Sequence, residues 1–166
     1  MSVPFRIGLG FDIHPFDKTR PLVLGGVKIR DRGGLAGHSD ADAVMHAITD
    51  ALLGATGGPD IGEIFPDTDD TYKDADSGGL LKKVWEDVAK QGWEIGNIDV
   101  VVIAESPKLA PFKKQMSEGI AKTLNIDASQ VNIKATTSEG MGFIGRGEGI
   151  GVIANALLVA VGEKRA

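Results

Sequence analysis

Two hydrophobic periods alternate along this chain, and their order limits what it can fold into. Residues 5–9 alternate apolar with other side chains and lead into Asp12 and His14. Residues 21–24 and 27–29 flank Gly25-Gly26 as the arms of a hairpin with a glycine turn. Residues 39–53 carry Val44, Ile48, Ala51 and Leu52 at helical spacing, with Ser39 as a candidate N-cap, Asp42 at the capping-box position and Gly54 as the stop. A second helix is capped by Ser77, shows Leu80, Leu81, Val84, Trp85 and Val88 on one face, and ends near Gly92. A third opens at Pro111, where proline costs no hydrogen bond, and runs to about Leu124. Residues 99–104 form a short, nearly continuous apolar strand of the kind buried on both faces, and residues 131–136 form another. Residues 150–161 fit strand or helix by period alone; their β-branched members favour strand, against a high alanine content. This order predicts one α+β domain over residues 1–166. Its core is a mixed four-stranded sheet with helices layered on one face, plus a small N-terminal hairpin.

A length of 166 residues suits one domain with a real core, and the net charge of −5 argues against non-specific nucleic-acid binding. No run of eighteen apolar residues is present, and Met1-Ser2-Val3-Pro4 lacks the features of a signal or transit peptide. A cytoplasmic protein without membrane attachment is therefore expected. The chain has no cysteine, so disulfides are excluded and any transition-metal site must use nitrogen and oxygen donors.

Those donors are concentrated near the N-terminus, where all three histidines sit beside aspartates. Asp12 and His14 are two apart in a strand and point to one face. Asp42, His46 and Asp50 are four apart in a helix and share one stripe. A lone histidine is more often an ordinary core or surface residue, but three in this pattern point elsewhere. The strand pair meeting His46 supplies two nitrogens and one oxygen, which leaves a tetrahedral zinc ion one open position, as in a catalytic site. Asp40 and Asp42 belong to helix-start chemistry and stay outside this shell.

Residues 55–76 show no clear period and hold two prolines and six aspartates, the composition of an ordered functional loop or a flap. The carboxylates of Asp60-Ile61-Gly62 and Phe65-Pro66-Asp67-Thr68-Asp69 suit sugar hydroxyls, and equally suit a solvated acidic loop. Lys134-Ala135-Thr136-Thr137-Ser138-Glu139 is more specific. Three adjacent hydroxyls at a strand end can bond phosphate oxygens while the carboxylate holds magnesium. Gly145-Arg146-Gly147-Glu148-Gly149 puts charge on permissive backbone but has neither the setting nor the lysine of a P-loop.

Taken together, Gly10-Phe11-Asp12-Ile13-His14, residues 37–42 with His46-Ala47, residues 50–54, Asp60-Ile61-Gly62, Phe65-Pro66-Asp67-Thr68-Asp69 and residues 136–149 resemble the 2-C-methyl-D-erythritol 2,4-cyclodiphosphate synthase family. The resemblance runs in matching order from about residue 6 to residue 160. It implies an enzyme of the non-mevalonate isoprenoid pathway, a lyase that converts 4-diphosphocytidyl-2-C-methyl-D-erythritol 2-phosphate to a cyclic diphosphate and CMP. It also implies a homotrimer with sites between subunits. By the resemblance, zinc falls on Asp12, His14 and His46, and magnesium or manganese on Glu139. His38, Thr137 and Glu139 take catalytic roles; Ser39 contacts the methylerythritol phosphate, and Phe65, Asp67 and Asp69 the sugar alcohol. Asp60 and Gly62 meet the ribose; Ala104, Pro107, Lys108 and Ala110 border the cytosine; Thr136 and Ser138 face the diphosphate. Phe143 and Arg146 line a cavity at the trimer axis that accepts an isoprenoid diphosphate. Pro59 and Ser138 stand where the family usually has glycine and threonine.

The reaction fits this residue set. The nucleophile is the substrate's own phosphate oxygen, so neither a nucleophilic serine motif nor a cysteine is needed, and the barrier is charge repulsion and geometry. Two other readings use the same residues: a metal-dependent phosphoesterase, and a non-catalytic trimeric protein that binds isoprenoid diphosphates.

Overall fold

The computed structural model describes residues 3–66, 68 and 75–162. Its order is β1 (Phe5–Asp17), β2 (Leu22–Leu24), β3 (Val27–Arg30), β4 (Gly34–Leu35), α1 (Ala43–Thr56), α2 (Ile61–Ile64), α3 (Ser77–Lys90), β5 (Trp93–Ile103), α4 (Lys113–Leu124), β6 (Val131–Thr136), α5 (Gly142–Gly145) and β7 (Gly149–Ala160). The main sheet runs β4-β1-β7-β5-β6, and β2 pairs with β3 apart from it. Among the described residues only the β5–β6 pair is parallel, so the sheet is mixed as anticipated. It has five strands instead of four. The additional one, β4, is two residues of Gly-Leu pairing with Phe16 and Asp17, too short to leave a period in the sequence.

Strand β5 begins at Trp93, six residues before the apolar run that marks it, and carries a register shift between Ile95 and Asn97. The 150–161 run is strand β7, whose β-branched residues decide between the two periods. The first helix starts at Ala43 and not at Ser39: Asp42 is the N-cap, its carboxylate accepting from the N–H groups of Val44 and Met45. It also passes Gly54 and ends at Gly57 in the left-handed conformation. Asp76, not Ser77, caps α3 by accepting from Gly78 and Gly79.

Helices α1, α3 and α4 lie on one face of the sheet, with Ile98, Val100, Val102, Val152, Ala154 and Ala156 beneath them. The hairpin closes this layer by burying Leu22 and Leu24. Asp42 ties the parts together, for its two oxygens also accept from Gly25 N at 2.9 Å and Gly26 N at 2.7 Å at the hairpin turn. Among the described residues, no helix is long and apolar enough to cross a membrane.

The odd-numbered residues of β1 point the other way. Phe5, Ile7, Leu9 and Phe11 are 56%, 73%, 64% and 56% exposed in the single chain, and Val101 and Ile103 of β5 are half-buried beside them. Residues 99–104 are thus buried on one face here, while their sequence is apolar on both.

On the covered face, Gly8 and Gly10 let α1 lie directly on β1. A Cβ at Gly8 would fall 1.9 Å from the Ala51 carbonyl oxygen, and one at Gly10 would fall 1.8 Å from that of Ala47. Backbone cannot rotate away from such a clash, so Gly10→Ala must lift the helix off the strand. We expect a loss of about 3 kcal/mol, at the upper end for overpacked sites, measured by denaturant unfolding. Unchanged stability would show that the helix has room to move.

Candidate metal centre

The register between β1 and α1 sets the site. Asp12 and His14 continue the even-numbered face of β1 beyond Gly8 and Gly10, and His46 precedes the residue whose carbonyl covers Gly10. The three side chains meet in one cluster able to hold a metal ion. Asp12 Oδ2 lies 3.0 Å from His14 Nε2 and 3.2 Å from His46 Nδ1, and the two nitrogens are 3.4 Å apart. An ion bonded at about 2.0–2.1 Å in tetrahedral geometry holds its donors about 3.3–3.4 Å from one another. The spacing fits that polyhedron with one corner unfilled by protein.

The ring nitrogens turned away from the cluster are engaged. His14 Nδ1 donates to the Ala36 carbonyl at 2.6 Å, and His46 Nε2 meets the hydroxyls of Ser77 at 2.9 Å and Ser39 at 3.1 Å. His14 therefore turns its lone pair toward the Asp12 carboxylate, and His46 does the same in the tautomer that donates from Nε2. Three acceptors facing one another repel unless a cation lies between them. In the metal-free site a proton answers that need. Burial lowers the His14 pKa, but the hydrogen bond and charge of Asp12 outweigh it and the pKa rises above the ordinary histidine value. Burial raises Asp12, yet its bonds to His14 and His46 hold it well below the usual carboxylate range.

Around this centre the structure arranges the other candidates. His38 is half-buried and Ser39 buried in the loop after β4, which Arg20 grips by donating to the Gly37 and Ser39 carbonyls. Asp42 is the helix cap, and Asp50 accepts from Ile61 N at 2.8 Å, so neither of these helix-stripe neighbours of His46 joins the cluster. Asp60 caps α2 through Glu63 N at 3.0 Å, with Pro59 accommodated and Gly62 exposed within the helix. Phe65 points into the core, with Lys83 over its ring and its N–H bonded to the Ile61 carbonyl at 2.9 Å, so its side chain does not face a ligand. Asp67 and Asp69 lie outside the described residues.

The remaining candidates gather at the same end of the sheet, where Ile13 pairs with Gly151, Gly151 with Ile103 and Ile103 with Thr136. Ala104 is buried after β5, Pro107 half-buried, and Lys108 and Ala110 exposed. Thr137 Oγ1 donates to Glu139 at 2.8 Å, and Glu139 has a positive φ of 54°. Ser138 donates its hydroxyl to Glu105 Oε1 at 2.9 Å, and its own N–H to the same oxygen at 2.9 Å. Phe143 is 46% exposed and lines a hollow of about 220 Å³ with Ile13, His14 and Pro15, while Arg146 pairs with Glu148 at 2.6 Å. Arg20 and Glu105 organise these loops without having been singled out in the sequence. Only the partner's distance along the chain hides them, since each bonds a segment remote from itself.

The two shifts set opposite pH dependences. In the metal-free protein the raised His14 stabilises below the ordinary histidine pKa, and that contribution is lost as pH rises through its folded value; the depressed Asp12 contributes above the ordinary carboxylate range and is lost only in strong acid. Metal must displace the His14 proton, so its apparent affinity falls about tenfold per pH unit below that raised value. Thermal unfolding with and without zinc should therefore show metal-free stability falling, and zinc stabilisation growing, between mildly acidic and mildly alkaline pH. Parallel slopes would dismiss His14 as a ligand.

The YgbB family model matches residues 5–159. The chain is 57% identical over 154 residues to the 2-C-methyl-D-erythritol 2,4-cyclodiphosphate synthase of Geobacillus sp. (strain WCH70), covering 93% of this chain and 98% of that one. It is 51% identical over 158 residues to the synthase of Halothermothrix orenii, covering 95% and 96%. Among solved structures, the CDP complex of IspF from Plasmodium falciparum superimposes with a TM-score of 0.85 at 38% identity, over 96% of this chain and 99% of that chain. The bifunctional IspDF of Campylobacter jejuni gives a TM-score of 0.92 at 48% identity over 96% of this chain, which corresponds to 43% of that longer one. With its metal-ready cluster at the point where strand meets helix, the chain belongs to the YgbB family, whose relatives here are 2-C-methyl-D-erythritol 2,4-cyclodiphosphate synthases.

Proposed function

We propose that this chain converts 4-diphosphocytidyl-2-C-methyl-D-erythritol 2-phosphate to 2-C-methyl-D-erythritol 2,4-cyclodiphosphate and CMP. The observation that carries this reading is the Asp12–His14–His46 cluster, three acceptors at tetrahedral spacing in a chain of this family. Neither the hydrolytic nor the non-catalytic reading draws support from the relatives, which carry the synthase name.

Asp12, His14 and His46 suit zinc, and Glu139 suits magnesium or manganese shared with the substrate diphosphate. Bound there, the two ions supply charge neutralisation for one phosphate approaching another. The protein's own groups place the reactants. His38 and Ser39, on the loop gripped by Arg20, hold the 2-phosphate; Thr136, Thr137 and Ser138, on the turn organised by Glu105, hold the diphosphate. Asp60 and Gly62 take the ribose, the 104–110 segment the cytosine, and residues 65–69 the sugar alcohol. No protein nucleophile is needed, because the attacking oxygen belongs to the substrate.

We assign the working form as a homotrimer with composite sites, in the cytoplasm. Within one chain, β1 and β6 stand three strand spacings apart, about 14 Å. Reacting phosphates must come within about 3–3.5 Å, so the metal cluster of one copy needs the Thr136–Glu139 turn of another. The apolar face of β1 offers the surface for that pairing, and it explains why residues 99–104 are apolar on both sides. Phe143 and Arg146 fall to the axis of such an assembly, where a diphosphate-bearing isoprenoid is the proposed occupant.

Incubation with the cytidylyl substrate should release CMP and the cyclic product, and a chelator should abolish both. An open-chain product carrying solvent oxygen would install the phosphoesterase reading in its place. Light scattering should report a trimer that Leu9→Glu dissociates, with loss of CMP release; an active monomer would remove the composite site.

A further inference from the structure

Resting on the metal assignment above, we propose that Asp40 and Ser77 form a relay that fixes the ring proton of His46, which makes both of them positioning residues for the metal centre. Ser77 is fully buried, and its hydroxyl sits between the Asp40 carboxylate and His46 Nε2. An ionised carboxylate only accepts, so the Ser77 hydrogen goes to Asp40 Oδ1 and its lone pairs face the ring. His46 Nε2, 2.9 Å away, must then be the donor and carry the proton. That leaves Nδ1 unprotonated where it faces Asp12 at 3.2 Å and His14 at 3.4 Å. Reversing any link would turn an N–H into the cluster.

Helix capping does not account for the Ser77 hydroxyl. Helix α3 takes its cap from Asp76, so the Ser77 hydroxyl is not needed by the helix end. Asp40 is itself held in place by the N–H groups of Ser77 at 3.3 Å and Asp42 at 3.2 Å, while its own N–H donates to the Ala75 carbonyl at 3.1 Å. The start of α3 and the start of α1 are thereby joined through the ligand. The arrangement also engages Ser39. Its oxygen accepts from Ala41 N at 3.1 Å and meets His46 Nε2, so its hydrogen is not needed by the ring. That hydrogen has the Ser77 oxygen within reach at 3.3 Å, so Ser39 joins the same network.

Zinc affinity by chelator competition, the visible spectrum of the cobalt-substituted protein, and thermal unfolding of the metal-free protein together test the relay. Ser77→Ala should weaken zinc binding by roughly ten- to hundredfold and alter the cobalt spectrum. Asp40→Ala should do the same through a Ser77 hydroxyl now free to turn its hydrogen toward the ring. The double variant should be no worse than Ser77→Ala alone, since the two act in series. Asp76→Ala, which removes only the α3 cap, should lower the unfolding temperature while leaving affinity and spectrum unchanged. Wild-type zinc affinity and cobalt spectrum in Ser77→Ala would overturn the relay, as would additive losses in the double variant. If Ser77→Ala does not fold, Asp40→Ala decides the matter by the same measure. Failure of the wild-type protein to take up either ion would instead overturn the metal assignment on which the relay rests.

Discussion

The rest of this structure depends on how closely helix α1 lies on strand β1. At Gly8 and Gly10 the strand has no side chains on its inner face, and the carbonyls of Ala51 and Ala47 occupy the space a Cβ would take. Contact at this range is backbone against backbone, so it does not adjust by rotamer change as side-chain packing does. The register that results is also the register of the metal centre, because Asp12 and His14 continue the same strand face and His46 adjoins Ala47. Asp42 fixes the helix from its other end, one turn before His46, and anchors it to the hairpin turn through Gly25 and Gly26. Packing and ligand geometry here are one constraint. A site whose donors must agree within a few tenths of an ångström needs that rigidity.

The outer face of the same strand answers a different demand. Phe5, Ile7, Leu9 and Phe11 lie open in the single chain, with Asp99, Asn132 and Lys134 forming a polar cluster farther across the sheet, where Asp99 accepts from Asn132 at 2.7 Å and from Lys134 at 2.5 Å. A soluble sheet that leaves such apolar area uncovered is built for association. The inner face thus makes the metal cluster, while the outer face offers the surface on which the proposed assembly would form. One β-strand serves both through its twofold alternation.

Much of this was legible in the sequence. Four of the five main-sheet strands, the hairpin and the three long helices follow from period together with turn, cap and β-branched residues, and Asp12, His14 and His46 follow from spacing on a strand and a helix. The capping of α1 was not, because Ser39 and Asp42 both suit the role and the choice is made by the hairpin turn, whose two N–H groups need Asp42. Strand β4 escaped notice because two residues have no period. Phe65 looked like a loop residue beside acidic neighbours, yet it packs into the core. Ser77 and Asp40 read as helix-start residues, since the bond from Ser77 to His46 spans 31 positions and Asp40 reaches the ring only through Ser77. Sequence patterns report the faces of elements; contacts between element ends are decided by tertiary packing.

The polar side chains near the site share a habit that matches the chemistry. Arg20 grips the carbonyls of Gly37 and Ser39, Asp50 holds Ile61 N, Glu105 gathers Ser138 and Gly140, and Asp40 holds Ser77. Each is a charged group bonding backbone or a hydroxyl in a neighbouring loop, and none is poised to attack a substrate. In a reaction whose nucleophile and electrophile are both phosphates of one substrate molecule, a protein base or nucleophile has little to add. Rate comes from holding two like-charged groups in line and together, a task for loops that do not move relative to their metal. Charge-assisted bonds to backbone resist such movement better than apolar contacts of similar size, because they fix direction as well as distance. These four charged residues accordingly fix loops around the metal cluster and across the sheet end, and the reacting atoms are left to the substrate.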